Sequence, residues 1–269
     1  ARTAGLEVEA EPKIVEAVLA SLEKLSGNPR KPMVVHTGTY AETILADNPL
    51  AYWQCEEFDG GGLTDVSGND RNGRIEGMVA YHLPGPANES FSGKAVNSSL
   101  QLVGGSVSAS VPGARSISFW FWNGMSGAVR DNTGDLVQNG ESLRLRIGGK
   151  ADTGSAGTLI IQSGNDIFKG STKLTLRTWH HVMVSSDGRT INLYLDGNPQ
   201  AEVVAPFSEK RSNEWTFGGT LPFEGRIDEA SWFSKTLTGE DAKRHYTASG
   251  MIPPPRPVPP RPKFKRGTM

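Results

Sequence analysis

The sequence predicts an all-β chain: a two-sheet antiparallel sandwich with a short helix before it and an extended proline-rich arm after it. Three observations carry this. From about residue 40 to residue 250 the chain is a succession of short alternating runs, among them SISFWFW, SLRLRIGG and GTLIIQSGND, broken by Gly, Asn, Asp and Ser. Strands of that length and spacing build sandwiches. The earlier run EPKIVEAVLASLEKL repeats its apolar residues at helical spacing instead. The final run, MIPPPRPVPPRPKFKRGTM, carries too much proline for either helix or sheet ladder.

Residues 1–39 form the helical segment and its linker. Ile14, Val15, Val18, Leu19, Leu22 and Leu25 line one face, Pro12 sits near the start, and Gly27 with Pro29 ends it. One amphipathic helix beside a β domain must dock, either on its own sandwich or on another subunit. Residues 40–250 are the β domain. In NPLAYWQCEE, Ala51, Trp53 and Cys55 share a buried face, with Tyr52 and Gln54 opposite. In DVSGNDRNG, Asp65 and Asn69 are placed to bond nearby loop amides.

In SISFWFW, Phe119 and Phe121 fall on one face and Trp120 and Trp122 on the other. Only one of these faces can be the inter-sheet core, so the other is either covered or a platform for a ligand ring. Asp187-Gly188 marks a hairpin and Asp196-Gly197 a second turn. His180 and His181 face opposite ways on a regular strand and cannot chelate one metal, which makes His181 a structural histidine. In RIDEASWF, period two sends Ile227, Glu229, Ser231 and Phe233 one way and Asp228, Ala230 and Trp232 the other. An acid so placed needs a backbone donor, a cation or solvent. Residues 251–269 form a basic polyproline arm that cannot build a core, with Pro254, Arg256, Pro259, Arg261, Lys263, Phe264 and Lys265 as candidate partner-binding residues.

Composition narrows the function classes. The 28 Lys and Arg balance 29 Asp and Glu across 269 residues, which disfavours bulk attraction to nucleic acid or to an acidic membrane. The single cysteine, Cys55, excludes a disulfide framework and multi-cysteine metal sites. No apolar run has bilayer-crossing length and the start lacks the apolar centre of a signal peptide, so no membrane insertion is expected. Asn88 and Asn97 stand in Asn-x-Ser sequons, which matter only in a glycosylating host.

Five stretches taken in order, YAETILADNPLAYWQCEE, TDVSGNDRNGRIEG, SISFWFW, TWHHVMVSSDGRTINLYLDGNP and FEGRIDEASWFSKTLTGED, resemble the laminin G-like, concanavalin A-like lectin/glucanase family. The resemblance implies a jelly roll. It also implies a structural calcium ion between the first and last strands, with Asp228 as one ligand and Glu57 or its neighbours as the other side. Without metal, Asp228 would instead cap loop amides or pair with Arg226 or Arg74.

The family contains glycoside hydrolases whose paired carboxylates lie on one strand as Glu-x-Asp-x-x-Glu. Here EFDGGG supplies Glu57 and Asp59 but puts Gly62 at the last position, and no other catalytic motif is present. The expectation is therefore a non-catalytic module. It binds other protein subunits of an extracellular, cell-surface, periplasmic or virion assembly through its terminal arms, or else it binds a glycan through Trp120 and Trp122.

Overall fold

The computed structural model describes residue 35 and residues 38–254, apart from 94, 132, 208–211, 220 and 222. The helix expected at 14–25 and the arm residues Arg256, Pro259, Arg261, Lys263, Phe264 and Lys265 lie outside these described residues.

Among the described residues sixteen strands form two antiparallel sheets. The first sheet contains β1 (Ala51–Trp53), β4 (Val79–Pro84), β5 (Ser98–Val103), β7 (Ser116–Asn123), β12 (Trp179–Ser186), β13 (Thr190–Leu195), β14 (Val203–Pro206) and β16 (Glu224–Phe233). Its order is β14, β13, β12, β7, β16, β5, β4, with β1 also paired to β16. The second contains β2 (Gly62–Leu63), β3 (Gly73–Glu76), β6 (Ser106–Ser110), β8 (Asp135–Asn139), β9 (Leu143–Ile147), β10 (Leu159–Ser163), β11 (Asp166–Lys169) and β15 (Glu214–Phe217). Its order is β11, β10, β9, β8, β15, β6, β3, β2. Three helices accompany them: α1 (Thr39–Ala46), α2 (Glu89–Ser92) and α3 (Gly239–Ala248).

The alternation read from the sequence places the inter-sheet core. Phe119 and Phe121 of β7, Val182 and Val184 of β12 and Ala51 and Trp53 of β1 meet Leu145, Ile161 and Phe217 of the second sheet. Each Val, Leu, Ile or Phe side chain among them contributes roughly 1.5–3 kcal/mol by leaving water. The β12–β13 hairpin forms at Asp187, whose Oδ1 accepts the amides of Arg189 and Thr190 at 2.8 Å. At the second turn Gly197 adopts φ 69°, and a Cβ there would lie 2.5 Å from Cβ of Tyr246, so only glycine fits.

The other face of the first sheet is also covered. Tyr40, Ala41 and Ile44 of α1, Phe91 of α2 and Ala242 and Tyr246 of α3 pack on Tyr52, Trp120, Met183 and Phe233. The helices are held by their own chemistry. Thr238 and Asp241 close a capping box on α3. Asp47, just after α1, takes Arg244 and His245 at 2.7 Å and Lys235 at 3.1 Å, and these partners hold its carboxyl well below the usual range. Sheet, sheet and helical cap thus make three layers.

Strand β16 corrects the period-two expectation. Its register on β7 shifts between Asp228 and Ser231, and Glu229 adopts φ 54°. A bulge of this kind adds one residue and resets the alternation. Ile227, Ala230 and Trp232 therefore all enter the inter-sheet core, while Phe233 joins the layer beneath the helices.

Candidate functional site

The bulge lies where β16 changes neighbours. β7 flanks it on one side throughout; on the other, β5 pairs with Glu224–Ile227 and β1 with Ala230–Trp232. At the handover the backbone runs out of regular ladder partners, and polar side chains supply them. Glu56 Oε1 accepts the Ser98 amide at 2.8 Å. Asp228 Oδ1 accepts the Glu229 amide at 2.9 Å, and its Oδ2 accepts Asn97 Nδ2 at 2.9 Å. Tyr52 donates its hydroxyl to Glu229. Gly85 closes over this group so tightly that a Cβ would lie 2.4 Å from Asn97 Nδ2 and 2.8 Å from Asp228 Oδ2.

Burial dominates the electrostatics. Asp228 and Glu229 are fully buried. Desolvation, reinforced by Glu229 and Glu56, raises the Asp228 carboxyl well above its usual range. Glu229 is pushed up to about 8 by burial, with the Tyr52 hydrogen bond opposing. An acid near neutrality is the signature of a general acid. Here both carboxyls are walled in by Tyr52, Asn97 and Gly85 and present no surface to a substrate, so the shift reports enclosure.

An acid of the expected stretch does stand beside Asp228, although it is Glu56 that interacts with it directly. Glu57 Oε1 accepts the Thr64 amide at 2.7 Å. Cys55 adopts φ 55°, so regular strand alternation stops before these acids. Both oxygens of Asp228 already accept N–H donors, a poor start for a cation shell that needs several free oxygens. Among the described residues no group of three His, Cys, Asp or Glu is arranged to hold a metal ion, although Glu57 Oε2 is buried without a partner.

The two tryptophans do not form a platform. Trp120 is fully buried, 5.4 Å from Phe91 and stacked on Tyr246 at 5.5 Å. Trp122 is half-buried, with the Arg226 guanidinium 4.6 Å over its ring, and Gly124 lies so close that a Cβ would meet the indole at 2.4 Å. His181 is structural: it bonds Ser118 Oγ at 2.8 Å, and burial holds its imidazole down at about 3. Neither sequon asparagine is free. Asn97 is buried, and Asn88 caps α2 while donating to the Gly250 carbonyl at 3.0 Å.

Three clefts on the described surface are large enough to consider. One of about 490 Å³ is formed by the loop and short helix between β4 and β5, with Gly85 and Asn97 among its walls, directly beside the Asp228 junction. One of about 250 Å³ lies between two hairpin turns, at Arg144, Gln162 and Asn165. One of about 190 Å³ holds Lys173, Asp196 and Glu202 against Pro253 and Pro254, so the arm residue Pro254 begins half-buried on the domain. Sequence reasoning reached Glu56 only as a neighbour of Glu57 and Asn97 only as a sequon residue, and it missed Gly85. No local signal marks them, because a bulge and a positive φ at Cys55 bring them together.

The family model of the concanavalin A-like lectin/glucanases superfamily matches residues 95–243. No curated protein matches the sequence. Among solved structures, domain 4 of AbnA, a GH43 extracellular arabinanase from Geobacillus stearothermophilus in complex with arabinotriose, superposes with a TM-score of 0.52 at 18% identity. That match covers 74% of this chain and 98% of the domain. The binding domain of botulinum neurotoxin serotype D/C gives 0.51 at 16% identity, over 76% of this chain and 53% of the toxin chain. The binding domain of botulinum neurotoxin DC in complex with SialylT gives 0.50 at 16%, over 75% and 51%. The chain thus spans about half the length of the toxin chains, and identities this low show the fold alone.

Proposed function

The chain belongs to the concanavalin A-like lectin/glucanase superfamily, and from that premise we propose that it is a non-catalytic carbohydrate-binding module working outside the cell or at its surface. The observation that carries this is the enclosure of the acidic junction. Two of the carboxyls with raised affinity for protons, Asp228 and Glu229, are fully buried side by side, and a glycosidase needs its two carboxyls flanking an open scissile bond. The open clefts are lined by small, polar and apolar groups suited to holding a sugar. Two similar solved domains carry arabinotriose and SialylT. The test is to incubate the protein with a panel of insoluble polysaccharides and immobilised glycans. Retention on at least one without release of reducing ends supports the reading; release of reducing ends, or retention on none, overturns it.

A second reading is favoured by how the chain enters and leaves the domain. Thr39 Oγ1 donates to the Ala248 carbonyl at 3.4 Å, and Asn88 holds the Gly250 carbonyl. Thr39 and Gly250 therefore both sit at one helical cap, a placement suited to carrying arms that bind other protein subunits of an assembly. Native mass of the complex from its source, with and without residues 255–269, tests this. A complex that falls apart on truncation supports the reading, and an unchanged mass refutes it. Among the described residues no helix is long and apolar enough to cross a membrane.

A further inference from the structure

We infer that the cleft between β4 and β5 is the sugar seat, and that it takes a neutral glycan whose hydroxyls donate to Asn97, in preference to an acidic one. This rests on the carbohydrate-binding reading above. Size is the first ground. At about 490 Å³ the cleft lies within the roughly 300–1,000 Å³ of small-ligand sites, whereas those at Arg144 and Lys173, about 250 and 190 Å³, fall below it.

The second ground is a buried acceptor without a donor. Asn97 is 6% exposed and forms part of the cleft wall. Its Nδ2 donates to Asp228 Oδ2 at 2.9 Å and to the Pro86 carbonyl at 3.2 Å, which fixes the amide orientation. Its Oδ1 is buried and has no partner within the protein. Buried polar atoms are nearly always paired, so an orphaned acceptor at a cleft wall calls for an incoming donor, which a sugar hydroxyl supplies.

Charge and shape give the third ground. Glu89 is exposed on the cleft wall, and its negative charge disfavours a carboxylate or phosphate seated beside it. Pro84, Pro86, Ala95 and Val96 supply apolar wall for the C–H face of a sugar ring, and Val96 is 73% exposed, an apolar surface that a ligand would cover. The wall is pre-shaped, because Arg226 Nη1 holds the Pro84 carbonyl at 2.9 Å and Gly85 is packed on Asn97 and Asp228. Such preorganisation lowers the cost of binding.

Titration calorimetry of the full chain tests the seat with arabinotriose, a galacto-oligosaccharide, a gluco-oligosaccharide and sialyllactose as probes. At least one neutral sugar is expected to bind, with sialyllactose at least tenfold weaker. Val96→Arg, at an exposed position, is expected to weaken the neutral sugar at least tenfold with an unchanged melting temperature, and Arg144→Ala to leave affinity within twofold. Glu89→Gln should narrow the gap between neutral and sialylated probes. Undiminished binding by Val96→Arg, or loss on Arg144→Ala, refutes the seat while the carbohydrate-binding reading stands. A preference for sialyllactose refutes the neutral class. If the unaltered protein binds no sugar in the calorimeter and is retained on no glycan in the panel, the reading falls and the seat with it.

Discussion

Tyr52, in the middle of the first strand, donates its hydroxyl to Glu229, the bulged residue of the last, and both are fully buried. The bond ties β1 to β16 where β16 exchanges β5 for β1 as its neighbour. An Asp-Glu pair inside a strand is thus part of the joint between two ladder partners.

Glu229 makes stability fall as pH rises. Its folded value, about 8, lies above the ordinary 4.5, so between these values the folded chain holds a proton that the unfolded chain has released. The stabilising contribution is whole below about 4.5 and is lost as pH climbs through about 8. Glu229→Gln keeps an acceptor for Tyr52 and removes the titration. Its stability relative to wild type should therefore improve by about 1.4 kcal/mol per pH unit across that window. Urea denaturation of both proteins from pH 4 to pH 9 checks this; a constant difference contradicts it.

Gly85 is constrained by its neighbours. A methyl there would press on Asn97 Nδ2 and Asp228 Oδ2 at 2.4 and 2.8 Å. Gly85→Ala should destabilise by roughly 1–3 kcal/mol. Gly60→Ala, where a Cβ meets nothing within 4 Å but φ is 107°, separates backbone strain from this packing. If Gly85→Ala is neutral by thermal unfolding, the junction is looser than described.

The two tryptophans should separate by stability. Trp120 is enclosed beneath three helices, so Trp120→Ala should cost about 3–5 kcal/mol. Trp122, half-buried under Arg226, should cost on the order of 1 kcal/mol. Neither change should abolish sugar binding selectively. Selective loss in Trp122→Ala with full stability would restore the aromatic platform.

Calcium is expected to leave stability unchanged, because the Asp228 oxygens are taken by N–H donors. The melting temperature should be the same in chelator and in millimolar calcium at one pH. A rise with calcium that disappears in Asp228→Asn would restore the metal.

Much of the fold was legible because strand alternation is local. Phe119 and Phe121 face the second sheet, Ala51, Trp53 and Cys55 share the core face, and Asp187 opens the hairpin as its spacing implied. The helical cap was less legible, since covering Trp120 takes residues from 39–46, 89–92 and 239–248. The Thr238–Asp241 capping spacing was its one local signal. The junction was hidden for a different reason. Cys55, His82 and Glu229 adopt positive φ without being glycine, and nothing in the residue types marks them. One such residue interrupts the alternation, so which of Glu56 and Glu57 interacts with Asp228 was not legible from period two.

The most direct measurement is a two-dimensional amide NMR titration of the full chain with a neutral oligosaccharide that it retains, followed by analysis of the recovered sugar. Shifts concentrated at Gly85, Asn88, Val96 and Asn97, with the sugar recovered intact, are the predicted result. Shifts centred on Arg144 and Gln162 or on Lys173 would contradict the seat, and a shortened oligosaccharide would contradict the non-catalytic role.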